Sequence, residues 1–239
     1  RTTAHGISTA RGTGRAFAIR KFWLIVLKDL TIEARTKDMW VTMMAFVLMV
    51  IFLFAFAVGA SSVNLRGVFP GLIWMAFLFA GMMSIGRGFQ RESYEDTMTG
   101  LVLAPGDRLA VFLAKLTTAF LFMFLMELLS SPIFFALFNE PWYGQYGLYG
   151  IVLVLGTLGF VGVGTLLSAM GMNLRGGDLL MPVLLMPLEV PVMITAVQAT
   201  TAILSRPAAN PWPWLHGLMA YDAIFLALPM VIYEYLWEV

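Results

Sequence analysis

Three acidic residues stand inside apolar runs. Glu127, Glu189 and Asp222 each occupy a stretch long enough to enter hydrocarbon. Counted from the ends of those stretches at about 1.5 Å per helical residue, Glu127 and Glu189 lie ~15 Å deep and Asp222 ~12 Å. An ionisable group at such depth is costly and marks a functional site by default. No Lys or Arg occurs at that depth to pair with them. They can carry protons, face a wet cavity, or bond to backbone groups freed by proline. Glu189 sits between Pro187 and Pro191, and each proline removes a backbone donor and strands a carbonyl. A protonated Glu189 donating to such a carbonyl is the expectation. A proton relay is the alternative, and it requires all three acids on one path.

Other chemistry is sparse. His216, beside Trp212 and Trp214, has the donor type of an axial haem ligand. The simpler reading is a residue of the interfacial aromatic belt. The chain has no cysteine, which excludes disulfides, zinc-thiolate sites and CxxCH haem attachment. No metal site is expected, and no catalytic residue is assigned. There is no GxxxxGK[ST] loop, HExxH or GxSxG. ATP energy, where used, must come from another chain.

The second unusual feature is the stretch QRESYEDTMTGLVLAPGDR at 90–108. Arg87, Arg91, Glu92, Glu95, Asp96, Asp107 and Arg108 place seven charges between two apolar runs. Ser93 followed by Asp96 resembles a capping box. Tyr94, Met98, Leu101 and Val102 then fall on one helical face. Glu92, Glu95 and Asp96 take more polar positions. Pro105 and Gly106 end this short helix, and Asp107 caps the next. Its apolar face either rests on lipid or docks in a groove on a partner, and pattern alone does not choose.

The elements that position these residues follow from composition. The 239 residues are 60% apolar and 12% charged, against about 45–50% and about 25% in soluble domains. A formal charge of +1, without a basic cluster interleaved with aromatics, gives no reason to expect nucleic acid. Six apolar runs are long enough to span a bilayer: 41–60, 68–85, 109–138, 148–172, 179–204 and 214–236. Gly156, Gly159, Gly162 and Gly164 thin the fourth, where Gly164-x-x-x-Ser168 suits close helix packing.

Eight Lys/Arg lie in 1–40, four in 86–115 and one at Arg175, against only Arg66 and Arg206 on the other side. By the positive-inside rule both termini and the charged stretch are cytoplasmic. Residues 1–28 hold six Lys/Arg and no acid. They read as a transit-like presequence or, more simply, as a basic cytoplasmic tail, with 1–14 flexible. Residues 15–39 form an amphipathic helix, its stripe Trp23, Val26, Leu27 and Leu30, with Glu33 and Lys37 as a favourable i,i+4 pair. It lies in the interface plane or extends span one, and the first is expected. Residues 15–239 then make one transmembrane domain, with a coupling loop at 86–108.

Three segments carry a family resemblance: 69–115, 171–194 and 221–238. Phe89 to Glu92, the Leu101-x-Leu103-x-Pro105 ending and the Pro187–Pro191 element are the most specific. The chain resembles the CcmB family, the haem exporter B permeases of cytochrome c maturation, from about Leu24 to the C-terminus. Thr97-Met98 departs from the family's usual Gly-Thr, and Glu189 stands where an uncharged residue is expected.

The resemblance implies an all-α, ABC-2-type permease with six transmembrane helices and a preceding interfacial helix. It implies a homodimer on two CcmA-like ATPases that bind the ATP, with CcmC- and CcmD-like subunits and the haem chaperone CcmE. Haem is then a possible substrate rather than a resident cofactor. Arg91, Glu92, Tyr94, Glu95, Asp96, Met98 and Leu101 become the ATPase-coupling residues. The implied location is the bacterial inner membrane, with an organellar inner membrane as alternative. The rival functions are a generic ABC-2 exporter of lipid, glycan or drug, and a non-transporting scaffold that transmits force to a haem chaperone.

Overall fold

The computed structural model describes residues 6–59, 65–94, 108–140, 145–171, 177–205, 207 and 209–232. Among these the chain forms seven helices: α1 Gly6–Thr36, α2 Asp38–Gly59, α3 Leu65–Tyr94, α4 Arg108–Leu137, α5 Tyr146–Gly171, α6 Gly177–Leu204 and α7 Trp212–Ile232. Five of them, α2 to α6, contain stretches long and apolar enough to cross a membrane. The sixth expected span is α7. Its 21 residues give ~31 Å, enough to cross. The fold is that of an all-α, multi-pass membrane protein.

Hydrocarbon offers no hydrogen bonds, so each polar group in the bundle must be satisfied from within. The chain does this locally. The hydroxyls of Thr117, Thr118, Ser130, Ser131, Thr157, Thr200 and Thr201 each donate to the carbonyl four residues earlier. Helix α4 continues through Pro132 to Leu137. It ends where Asn139 adopts φ 51°, and the Glu140 amide donates to the Phe135 carbonyl at 3.0 Å, a Schellman-type cap.

Helix α5 is the hub, packed against α3, α4, α6 and α7. Its glycines set how closely these approach. A side-chain carbon at Gly156 would collide with the Trp74 indole of α3. Trp74 is buried there, and its Nε1 donates to Thr200 Oγ1 of α6 at 2.8 Å. Phe69, Phe77, Phe134 and Phe160 extend the same buried aromatic layer. Gly164 takes Ile85 of α3, so the expected small-residue seam receives a branched side chain.

Helix α1 and its junction with α2 depart from expectation in three ways. First, α1 starts at Gly6, so 6–14, expected to be flexible, are helical; no proline interrupts them. Second, the expected single apolar stripe of α1 is split. Ile25 and Val26 are buried with Ala114 of α4, and Leu30 packs against them, whereas Ile19, Trp23, Leu24 and Leu27 are exposed. Third, the Glu33–Lys37 pair does not form. Lys37 turns out of the helix at φ 54°. Its amide donates to the Glu33 carbonyl at 2.7 Å, and the Glu33 carboxylate accepts from the Trp40 amide at 2.8 Å. Glu33 thus closes one helix and caps the next.

An ion pair fastens α1 to α4. Lys115 Nζ donates to Asp29 Oδ2 at 2.8 Å, with both side chains nearly buried, while Lys28 lies 3.4 Å from the other Asp29 oxygen. A charge-assisted bond in such surroundings contributes about 2 kcal/mol. A double-mutant cycle of Asp29→Asn and Lys115→Met, read by unfolding in detergent, is expected to show a coupling of ~2 kcal/mol. Additive losses contradict the clamp.

Candidate functional site

Two of the three buried acids, Glu127 and Asp222, meet α5, and Glu189 lies on α6, which packs against it. Thr157 and Gly159 lie near the middle of α5, two residues apart, so they point to opposite sides of the helix and differ in height by only ~3 Å. Glu127 of α4 meets Thr157 on one side, where the Thr157 hydroxyl stands 2.5 Å from Glu127 Oε2. The same hydroxyl is 2.6 Å from the Leu153 carbonyl. It has one hydrogen for two acceptors. Both contacts are satisfied together when Glu127 carries a proton and donates it to Thr157 Oγ1, leaving the threonine hydrogen for Leu153. One turn along α4, Ser131 Oγ lies 2.9 Å from the Tyr149 hydroxyl, so a polar seam runs between α4 and α5.

Asp222 of α7 meets the opposite side of α5. A side-chain carbon at Gly159 would lie 2.8 Å from Asp222 Oδ1 and 3.0 Å from Val192 Cγ2. Val192 is one turn from Glu189 on α6. Glu189 and Asp222 are both buried, and among the described residues none of their four oxygens has a hydrogen-bond partner. The expected bond from Glu189 to a proline-freed carbonyl is therefore not formed. Helix α6 runs unbroken past Pro187 and Pro191, and its nearby inter-helix bond is made instead by Tyr221, whose hydroxyl donates to the Leu188 carbonyl at 2.7 Å.

Two further points bear on the sequence reading. Asp222 meets α5 within ~3 Å of the height at which Glu127 does, because α7 lies against the mid-section of α5. The three acids are not brought onto one path, since the body of α5 separates Glu127 from the other two. The residue that sequence reasoning missed is Thr157, whose one signal was its position two residues from Gly159 in the glycine-rich run.

The charged stretch is only partly visible. Helix α3 carries Arg91, Glu92 and Tyr94 as a continuation of span two. Ser93 is inside that helix, so it does not begin a new one as the capping-box reading expected; the apolar helix simply propagates into the charged residues. Glu95, Asp96, Met98, Leu101 and Asp107 lie outside the described residues. His216 is exposed at the start of α7, its ring 6.0 Å from that of Trp212. Among the described residues no group of three or more His, Cys, Asp or Glu could hold a metal ion.

A helical bundle with a polar layer at mid-height and a helix projecting beyond the apolar zone defines a multi-pass membrane protein of permease type. The chain belongs to the CcmB protein family, whose model matches residues 20–232. It is 32% identical over 201 residues to heme exporter protein B of Pseudomonas aeruginosa, covering 83% of this chain and 89% of that protein. The Paracoccus denitrificans protein of the same name is 28% identical over 204 residues, 85% and 92% of the two chains. That of Escherichia coli K12 is 31% identical over 182 residues, 76% and 82%.

Thr157→Val is expected to lower unfolding free energy in detergent by ~1 kcal/mol. Glu127→Gln is expected to cost less, because an amide N–H replaces the carboxylic donor. Equal losses contradict donation from Glu127 to Thr157.

Proposed function

We propose that this chain is the permease subunit of a haem-handling ABC transporter of cytochrome c maturation, driven by a separate CcmA-like ATPase. Family membership supports the class, and the name heme exporter protein B, borne by its relatives, supports haem as cargo. The observation that carries the coupling role is the continuity of α3. One helix extends from Phe69, buried among Phe135 and Phe138, through the apolar core to Arg91, Glu92 and Tyr94. A push on its charged end tilts its buried end, because helix and core are both stiff.

The finer assignments belong to this reading. Tyr94, Met98 and Leu101 form the apolar docking face on the ATPase, and Arg91, Glu92, Glu95 and Asp96 orient it. Both termini and this stretch face the cytoplasm, in a bacterial inner membrane. The functional unit is a homodimer with two ATPases, CcmC- and CcmD-like partners, and a CcmE-like haem chaperone. The energy of ATP hydrolysis is spent on haem translocation or on release of the loaded chaperone.

Met98→Asp with Leu101→Asp places two charges on the docking face. Co-purification with the ATPase is expected to be lost, together with haem-dependent stimulation of ATP hydrolysis. Undiminished association contradicts the docking role.

A further inference from the structure

Helix α1 carries two acids, and both are used inside the protein. Asp29 is held between Lys115 and Lys28, one negative charge between two positive ones. Glu33 is buried, and its carboxylate accepts from the Trp40 amide. The basic residues lie elsewhere on the helix. Arg20, Lys28 and Arg35 are exposed, and Lys21 is half-buried. Helix α4, on which α1 rests, adds no acid before Glu127. Folding thus turns the negative charge of α1 inward and leaves its positive charge outside.

The outward surface is ordered around the helix, at about 100° per residue. Phe22, Ile25, Val26 and Leu30 pack with Val111 and Ala114 of α4. Ile19, Trp23 and Leu27 form the next face, spaced by four residues and all more than half exposed. Arg20, Lys28 and Arg35 form the third, with the exposed Leu24 and Thr31 among them. An apolar row beside a cationic row suits the boundary between acyl chains and phosphates, where arginine stems lie on apolar surface and their heads reach the anions. Only Lys37 separates α1 from α2, which is long and apolar enough to cross a membrane. The surface within reach of these rows is therefore the headgroup layer.

We propose that this face of α1 binds the headgroups of anionic phospholipids, so that the charge of the membrane leaflet helps to seat α1 on α4. Arg20 and Arg35 pair with lipid phosphates, while Trp23 and Leu27 enter the acyl boundary. A zwitterionic headgroup brings its own cation and is attracted less. The site is independent of the cargo and of ATPase docking.

The chain has no cysteine. A fluorophore on Thr31→Cys therefore reports the basic row alone, and one on Phe56→Cys reports an exposed apolar position of α2. The full chain is reconstituted in phosphatidylcholine vesicles with phosphatidylglycerol or phosphatidylcholine spin-labelled near the headgroup, at equal mole fraction. Quenching at 31 is expected to show about fivefold or greater preference for phosphatidylglycerol, falling as salt is raised. No preference is expected at 56. Arg20→Gln with Arg35→Gln is expected to remove most of the preference at 31, and Arg20→Lys with Arg35→Lys to keep it. Equal quenching by the two lipids at 31, or a preference that survives the Gln pair, overturns the site. So does loss of the preference to inorganic phosphate at fixed ionic strength, since a free anion is then the ligand. Quenching by neither lipid at 31 in the complex with the ATPase also overturns it, because a protein then covers the face.

Discussion

Carboxyl groups buried in a bundle without countercharges place a constraint on everything around them. Glu127 and Asp222 are held against α5, and α5 packs against α3, α4, α6 and α7. Its composition follows from that position. Gly156 admits the Trp74 ring, Gly159 admits the Asp222 carboxyl, and Thr157 supplies the hydroxyl that Glu127 needs. A larger residue at either glycine would push α3 or α7 away. A residue without a hydroxyl at 157 would leave a buried carboxyl oxygen unmatched, at a cost of ~1 kcal/mol. The middle of the bundle is therefore tightly specified, although it is built mostly from interchangeable aliphatic residues.

The end of the bundle that carries α1 is organised differently. There α1 is tied to α4 by the Asp29–Lys115 ion pair and by Ile25, Val26 and Ala114. It is tied to α2 by the double use of Glu33. Helix α3 instead runs on past the buried Ile85 into charged residues. One part of this end is clamped and the other projects, which is the division of labour that a lever against a fixed frame needs. The exposed apolar face of α1, with Ile19, Trp23 and Leu27, lies near the basic residues Arg20, Lys21 and Lys28, a composition suited to the headgroup layer.

Much of this could be read from the residues. Long uncharged runs had one economical solution, so the helices of the bundle and their approximate limits followed directly. Family membership followed from the segments around Phe89–Glu92, Leu101–Pro105 and Pro187–Pro191. What stayed hidden were facts about pairs of helices. Nothing local says that Thr157 and Gly159 face different acids, or that Tyr221 reaches the Leu188 carbonyl. The boundary of α1 depended on Lys37 at positive φ, a conformation for which lysine gives no warning. The expected break at Ser93 failed because a capping pattern is a weak local preference, whereas a helix already running through α3 needs only one more residue each time.

The account rests on motion entering through the end of α3 while α1 and α4 stay together. The chain has no cysteine, so introduced cysteines report only their own positions. Spin-label distances in the complex with its ATPase, with and without ATP, test this most directly. A pair at Arg91 and Ser168 is expected to change distance on nucleotide binding, while a pair at Lys28 and Val111 does not. Fixed distances in both pairs, or a change confined to the α1–α4 pair, would contradict the account.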